Sequence, residues 1–336
     1  MLDTRLPCKS LADGSLRVQD LESFAKEWLN DGVYLRLSKK TLANRGIYLR
    51  NLIWFLKREG FETVGFRELK QFFCYFDTGH EDPEGRWGNP QEKTPVKTST
   101  VATYHRHIRA FFQWMVKNEY LASSPMNKID APKFRQDAIQ PFSEEQIEAL
   151  LKAAQYTDYP KRDYAIVSFL VDSGVRLAEL CGLRRKHIDF SNMTARVLGK
   201  GDKERTVYFG MKASKALRDY LREEDRKEED PIFLSRRGEA LTDTGVQQLI
   251  DRLGEAAEIR GVRCSPHTFR HTCAVQFLRS GGNQFSLMKL LGHNDLRMTS
   301  RYVLLAEADL ENQHRAHSPV DNMKKIPLRR TKAAKV

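Results

Sequence analysis

Between Thr98 and Lys117 the residues Val101, Tyr104, Ile108, Phe111, Phe112 and Met115 recur at three- and four-residue intervals, with His105, Arg106, His107 and Arg109 between them. That period is the turn of an α-helix, so the stretch must bury one apolar stripe against other helices. Ser38 to Gly60 repeats the pattern: Leu42, Leu49, Leu52, Ile53 and Leu56 share a face, and Lys39, Lys40, Arg45 and Arg50 lie opposite. Together they predict a helical bundle over residues 18–122. Asp77 to Thr98 interrupts it with the run Gly79-His80-Glu81-Asp82-Pro83-Glu84-Gly85-Arg86-Trp87-Gly88-Asn89-Pro90. So many turn formers predict a long loop or insertion at about 77–98.

Ser123-Ser124-Pro125, Pro132 and Pro141 mark a linker over 123–140. Ser143-Glu144-Glu145-Gln146 has the form of a capping box, opening a helix with Ile147, Leu150 and Leu151 inward. Further helices are expected over Asp163–Val171, Arg176–Leu183, Lys212–Glu228 and Thr242–Ile259, from Pro266 onward, and over Ala306–His317. Thr194–Leu198 and Arg205–Phe209 alternate as short strands about the turn Gly199-Lys200-Gly201-Asp202-Lys203. The expected fold is mainly α with a small antiparallel β-sheet, in two domains, 18–122 and 141–318, followed by a basic tail over 319–336.

Lys and Arg number 56 against 44 Asp and Glu, a net charge of +12. Such an excess favours a polyanionic partner, of which nucleic acid is the commonest. The basic outer faces of the two long helices suit phosphates, which makes Lys39, Lys40, Arg45, Arg50, His105, Arg106 and Arg109 candidate DNA contacts. The five cysteines form no C-x-x-C pair, so neither a disulfide framework nor structural zinc is expected. Met1 to Gly14 lacks the apolar core of a signal peptide, and no apolar run approaches the roughly 18 residues of a membrane span. The expected compartment is the cytoplasm.

Polar motifs follow one another in the second domain: Ser173-Gly174-Val175-Arg176-Leu177-Ala178-Glu179-Leu180, Gly199-Lys200-Gly201, His267-Thr268-Phe269-Arg270-His271, Leu291-Gly292-His293, and Tyr302 nine residues beyond His293. These are parts with which a side chain can attack a phosphodiester. A nucleophile must approach in line, charge on the non-bridging oxygens must be held, and the leaving oxygen must receive a proton. Arg176 and Arg270 suit the clamp, because guanidinium is planar, always charged and forks onto two oxygens. His267 lies three residues before Arg270 on one helical face. Lys200, on a long side chain in a tight turn, can reach a leaving 5′ oxygen as general acid. His293 follows a helix-capping glycine and can donate to phosphate, and Glu179 can orient Arg176 or a histidine. Tyr302 supplies the nucleophile, and its phosphodiester product conserves bond energy, so no cofactor is expected. His267 and His271 lack the glutamate of H-E-x-x-H and a third ligand, so no metal is expected. The spacing G-x-x-x-x-G-K-[ST] of a P-loop is absent.

In order and spacing these motifs resemble the tyrosine recombinase family, of the phage-integrase and Xer type. The resemblance covers about 141–318. It implies that Arg176, Lys200, His267, Arg270, His293 and Tyr302 form the catalytic set, with Glu179 supporting; by its place in the pattern Lys200 is preferred to Lys203. Ser173 stands where many members have threonine. The resemblance further implies that 18–122 is a helical SAM-like core-binding domain, that the two domains close as a C-shaped clamp on double-stranded DNA, and that a homotetramer assembles on two DNA sites, a C-terminal helix over 306–318 docking into the neighbouring protomer. No additional N-terminal arm-binding domain is expected, since about 17 residues precede the first helical segment. The implied function is site-specific DNA recombination or integration through a 3′-phosphotyrosyl intermediate and a Holliday junction, without metal or ATP. A type IB topoisomerase shares most of this chemistry, and a catalytically silent DNA-binding protein would share the fold. A metal nuclease would need clustered carboxylates beside the histidines.

Overall fold

The computed structural model describes residues 16–133, 140–199, 204–222, 226–292, 295–306, 314–315, 318–321 and 323. Its chain divides into two compact units, 1–137 and 138–336. The first unit is built on four helices: α1 (Leu21–Tyr34), α2 (Lys39–Arg58), α3 (Phe66–Thr78) and α4 (Thr98–Lys117). A two-stranded antiparallel ladder, β1 (Leu16–Arg17) on β2 (Thr63–Val64), ties the start of the unit to the α2–α3 connection. The apolar stripes expected for α2 and α4 face this core: Leu49, Leu52, Ile53, Leu56, Ile108, Phe111, Phe112 and Met115 are all buried, and Leu42 is half-buried. Met126, inside the segment expected as a linker, is fully buried in the same core.

The segment expected as a loop over 77–98 folds back on the bundle. Trp87 packs against Trp54, Phe72, Tyr75, Phe76 and Tyr104. Arg86 is buried, its guanidinium donating to Glu92 (3.2 Å) and to the carbonyl of Thr94. Asp82 accepts from both Arg58 and Tyr75. A long connection otherwise costs closure entropy with little return; here one tryptophan supplies the apolar area that orders it.

The second unit contains α5 (Glu144–Ala154), α6 (Pro160–Ser173), α7 (Leu177–Cys181), β3 (Ile188–Asp189), β4 (Thr194–Leu198), β5 (Glu204–Tyr208), α8 (Met211–Leu221), α9 (Asp243–Ala256), α10 (Pro266–Arg279), α11 (Gln284–Leu291) and α12 (Leu296–Ala306). The capping box that opens α5 is present, with Ser143 and Gln146 exchanging bonds of 3.0 and 3.2 Å. The three strands pair antiparallel in the order β3-β4-β5. Ala195 and Val197 of β4 face inward opposite Val207 and Arg205 of β5. α8 ends at Leu221, short of the expected Glu228, where the chain becomes polar and loses the period that would anchor another turn. α6 and α10 pack against each other and are buried round most of their circumference. The protein is mainly α with small antiparallel sheets.

Candidate active site

The site forms where several helix ends meet. α6 stops at Gly174, whose φ of +58° is the left-handed geometry of a helix C-cap. A Cβ at Gly174 would lie 3.0 Å from Cys273 Sγ and 3.1 Å from Leu291, so this turn needs glycine for space as well. Ser173, just before it, is buried and donates to the carbonyl of Phe169 (2.6 Å), a bond that its hydroxyl makes as a threonine would. α11 stops the same way at Gly292, φ +62°.

The last carbonyls of a helix lack internal partners and carry the negative end of its dipole. At the end of α11 three arginines answer them. Arg205 donates to the carbonyl of Leu290, Arg270 to that of Leu291 (2.6 Å) and Arg176 to that of Gly292 (3.1 Å). Arg270 is 7% exposed and also donates to the carbonyl of Gly174 (2.7 Å), capping α6. Burial, and then the nearby charges of Arg176 and Arg205, push its pKa down to about 10, which leaves it cationic at neutral pH.

Arg176 precedes the first turn of α7. Its backbone N–H donates to Glu179 (2.7 Å) and its guanidinium to the other oxygen of that carboxylate (2.8 Å). Arg205 grips the same carboxylate from β5 at 3.1 and 2.7 Å. Burial pushes the Glu179 pKa up, but the bonds from Arg205 and from the Arg176 backbone outweigh it, so the carboxyl is held below its ordinary range. Among the described residues, Glu179 bonds two arginines, Arg176 and Arg205.

Tyr302 lies on α12, packed with Ala274, Val275, Leu287 and Leu291 and 4% exposed. Its hydroxyl is in hydrogen bond with Nδ1 of His271 (2.8 Å). Burial raises the tyrosine pKa, while the charges of Arg270 and Arg301 oppose the rise. Burial, then His267, Arg270 and Arg301, push His271 down to about 4. The pair is therefore neutral on both sides at pH 7, with the phenol protonated. His267 is on the exposed face of the first turn of α10. Lys200 and His293 lie outside the described residues, as does most of the expected helix 306–318. Among the described residues no group of three or more His, Cys, Asp or Glu could hold a metal ion, and no helix is long and apolar enough to cross a membrane.

The expected DNA-contact residues of the first unit divide. Lys39, Lys40, Arg50, Arg106 and Arg109 are exposed. Arg45 is drawn inward, its guanidinium 4.1 Å above the Trp28 ring. His105 does not share the outer face: it is buried, with Nε2 in hydrogen bond to the carbonyl of Ile129 (2.9 Å). The reason is its spacing, since 105, 108, 112 and 115 follow one apolar stripe.

The neutral His271 carries a stability consequence. Unfolded, its pKa returns to about 6.5, so below that pH the unfolded chain takes up a proton that the folded chain resists until about pH 4. Stability contributed above pH 6.5 is thus lost as pH falls toward 4. Urea midpoints at about pH 7.5 and about pH 5 should show the wild type losing about 1–2 kcal/mol more than His271→Asn, once solvent screening is allowed for. Parallel slopes for the two proteins would contradict the burial argument.

Residues 140–308 match the model of the phage integrase family. The chain is similar to tyrosine recombinase XerC of Corynebacterium glutamicum, 36% identical over 225 residues that span 65% of this chain and 72% of that protein. Tyrosine recombinase XerD of Ralstonia nicotianae is 31% identical over 304 residues, 87% of this chain and 91% of the relative. Among solved structures, the Tn1549 transposon integrase in complex with a circular intermediate DNA shares the fold at a TM-score of 0.67 and 19% identity, over 89% of this chain and all but 1% of that one (99% covered). A lambda integrase dimer bound to a COC′ core site does so at 0.64 and 17% identity, over 83% and 96%.

Proposed function

The chain belongs to the phage integrase family of tyrosine recombinases, and on that premise we propose how its residues act. It is a site-specific DNA recombinase, a strand transferase. Tyr302 yields its phenolic proton to His271, its hydrogen-bond partner, and attacks the scissile phosphorus in line; the bond from phosphorus to the 5′ oxygen breaks, a 3′-phosphotyrosyl link forms, and the departing oxygen takes a proton from Lys200. Arg176 and Arg270, with His267 and His293, hold the non-bridging oxygens, and Glu179 keeps Arg176 in register. The freed 5′-hydroxyl then attacks the phosphotyrosyl of a partner strand, and a second exchange resolves the Holliday junction. Bond energy is conserved throughout, so the scheme needs no ATP.

One observation carries this reading: Arg176 and Arg270 bond carbonyls at the end of α11, two residues or fewer before His293, and Tyr302, bonded to His271, belongs to the same apolar cluster as Leu287 and Leu291 of that helix. The protonated, shielded phenol is then a resting nucleophile, which must leave His271 to meet phosphorus. We place the enzyme in the cytoplasm as a homotetramer on two DNA sites. The segment 306–318 docks on the neighbouring protomer, and each unit contacts the duplex, the exposed cations of α2 and α4 meeting its backbone.

Incubating the protein with a pool of random nicked duplexes in EDTA, then denaturing in detergent, tests the reading. A DNA adduct recovered without metal, enriched in one sequence, supports it. Relaxation of plasmids lacking that sequence would instead favour the topoisomerase reading, and an adduct that requires magnesium would refute the scheme. Affinity for the recovered site should fall about 10³–10⁵-fold between roughly 50 and 200 mM salt, as expected for 6–10 phosphate contacts. A change of less than about tenfold would contradict phosphate wrapping.

A further inference from the structure

We propose that Arg205, on the inward face of β5, is a positioning residue for strand cleavage, acting by tying together the chain segments that carry Arg176, Lys200 and His293. The inference rests on the reading that those three residues act on the scissile phosphate.

Three separate contacts support it. First, Arg205 forks onto Glu179 with Nε and Nη2 (3.1 and 2.7 Å), while Glu179 uses the same two oxygens to hold the backbone and guanidinium of Arg176. Glu179 has a side-chain exposure of 2%, so with Arg205 removed a buried carboxylate keeps one cationic partner of two and grips Arg176 less firmly. Second, Nη1 of Arg205 donates to the carbonyl of Leu290, and the α-carbon of Gly292 rests on the arginine stem. A Cβ on Gly292 would come within 2.6 Å of Arg205 Cδ. The turn that leads into His293 is thus seated on this side chain. Third, the Arg205 backbone pairs with Val197 across the β4–β5 ladder, and Lys200 lies in sequence between these two strands.

No other described side chain bonds both α7 and the end of α11 from the hairpin. The contacts also go to the reacting groups' supports rather than to the apolar core beneath, where Ala195, Val197 and Val207 pack without it. Only arginine fits. A lysine ammonium is a point charge that can reach the carboxylate or the carbonyl, and cannot fork onto one while donating to the other.

The test uses full-length wild type, Arg205→Lys, Arg205→Gln and Glu179→Gln, with single-turnover cleavage of a nicked duplex bearing the recovered site. Each is measured with an ordinary scissile phosphate and with a methylphosphonate, whose reacting group is neutral and needs less from the arginine clamp. We expect Arg205→Gln to bind the site within about threefold of wild type and to cleave the phosphate about 10²-fold more slowly. The loss should be at least tenfold smaller on methylphosphonate. Arg205→Lys, which keeps a cation beside Glu179 and so the fold, should still cleave at least tenfold more slowly. Combining Arg205→Gln with Glu179→Gln should cost less than the sum of the two single changes, because each already removes the Arg205–Glu179 contact. Cleavage by Arg205→Lys at the wild-type rate would overturn the proposal, as would equal losses on the two substrates. No adduct from the wild type itself would count against the recombinase reading instead, and would take the proposal with it.

Discussion

Tyr302→Phe should abolish covalent cleavage while leaving affinity for the target duplex within about twofold. The ring stays in its cluster with Ala274, Val275, Leu287 and Leu291, so packing of α12 on α10 and α11 is conserved. What disappears is the hydroxyl and its bond to His271, about 1 kcal/mol of stability by ordinary hydrogen-bond values. Removing an enzyme's nucleophile costs on the order of 10⁶ in rate where it has been measured, so the adduct should drop below detection. A gel shift on the recovered site and a detergent-resistant adduct assay separate the two effects. Lost binding in this variant would show that Tyr302 serves the fold rather than the chemistry.

Arg270→Lys should lower cleavage by about 10²–10³, the usual effect of removing one preorganised donor from a developing charge. It also tests the packing argument. Arg270 caps α6 through Gly174 and α11 through Leu291, in a place where water does not substitute. A lysine can satisfy one of those carbonyls. The other is left bare, at about 1–3 kcal/mol for a buried acceptor, so the melting temperature should fall together with the rate. A variant that cleaves slowly with unchanged stability would mean that the carbonyls find other donors, and that the two helix ends are not held by this guanidinium.

Periodic and local features were legible in the sequence. The stripes of α2 and α4, the Ser143 capping box, the β4 strand and the Gly292 cap each depend on residues within a turn or two of one another, and each is in the structure. β3 is two residues long, too short for alternation to register. His105 has a polar side chain that suits a phosphate, yet its place on the apolar stripe of α4 puts it inside. Trp87 gave no signal within its loop, since its aromatic partners lie on α2, α3 and α4. The site shows the same division. Motif order points to Arg176, Arg270 and Tyr302, yet Arg205 and His271 draw their roles from partners 26 and 85, and 31, residues away. One signal for Arg205 was available: alternation with Val207 and Phe209 puts it on the inward face of β5, where an arginine must find buried acceptors. For His271 the i, i+4 relation to His267 offers only a metal pair, which the missing glutamate and third ligand set aside, and nothing near it in sequence points to a tyrosine on the next-but-one helix.

The central claim is that Tyr302 itself becomes bonded to DNA. Trapping the wild type on a nicked duplex in EDTA, digesting protein and DNA, and sequencing the nucleotide-bearing peptide by mass spectrometry tests it directly. The account requires the nucleotide on the phenol oxygen of Tyr302, joined through a 3′-phosphate. A nucleotide on any other residue, or a 5′-phosphate linkage, would contradict it.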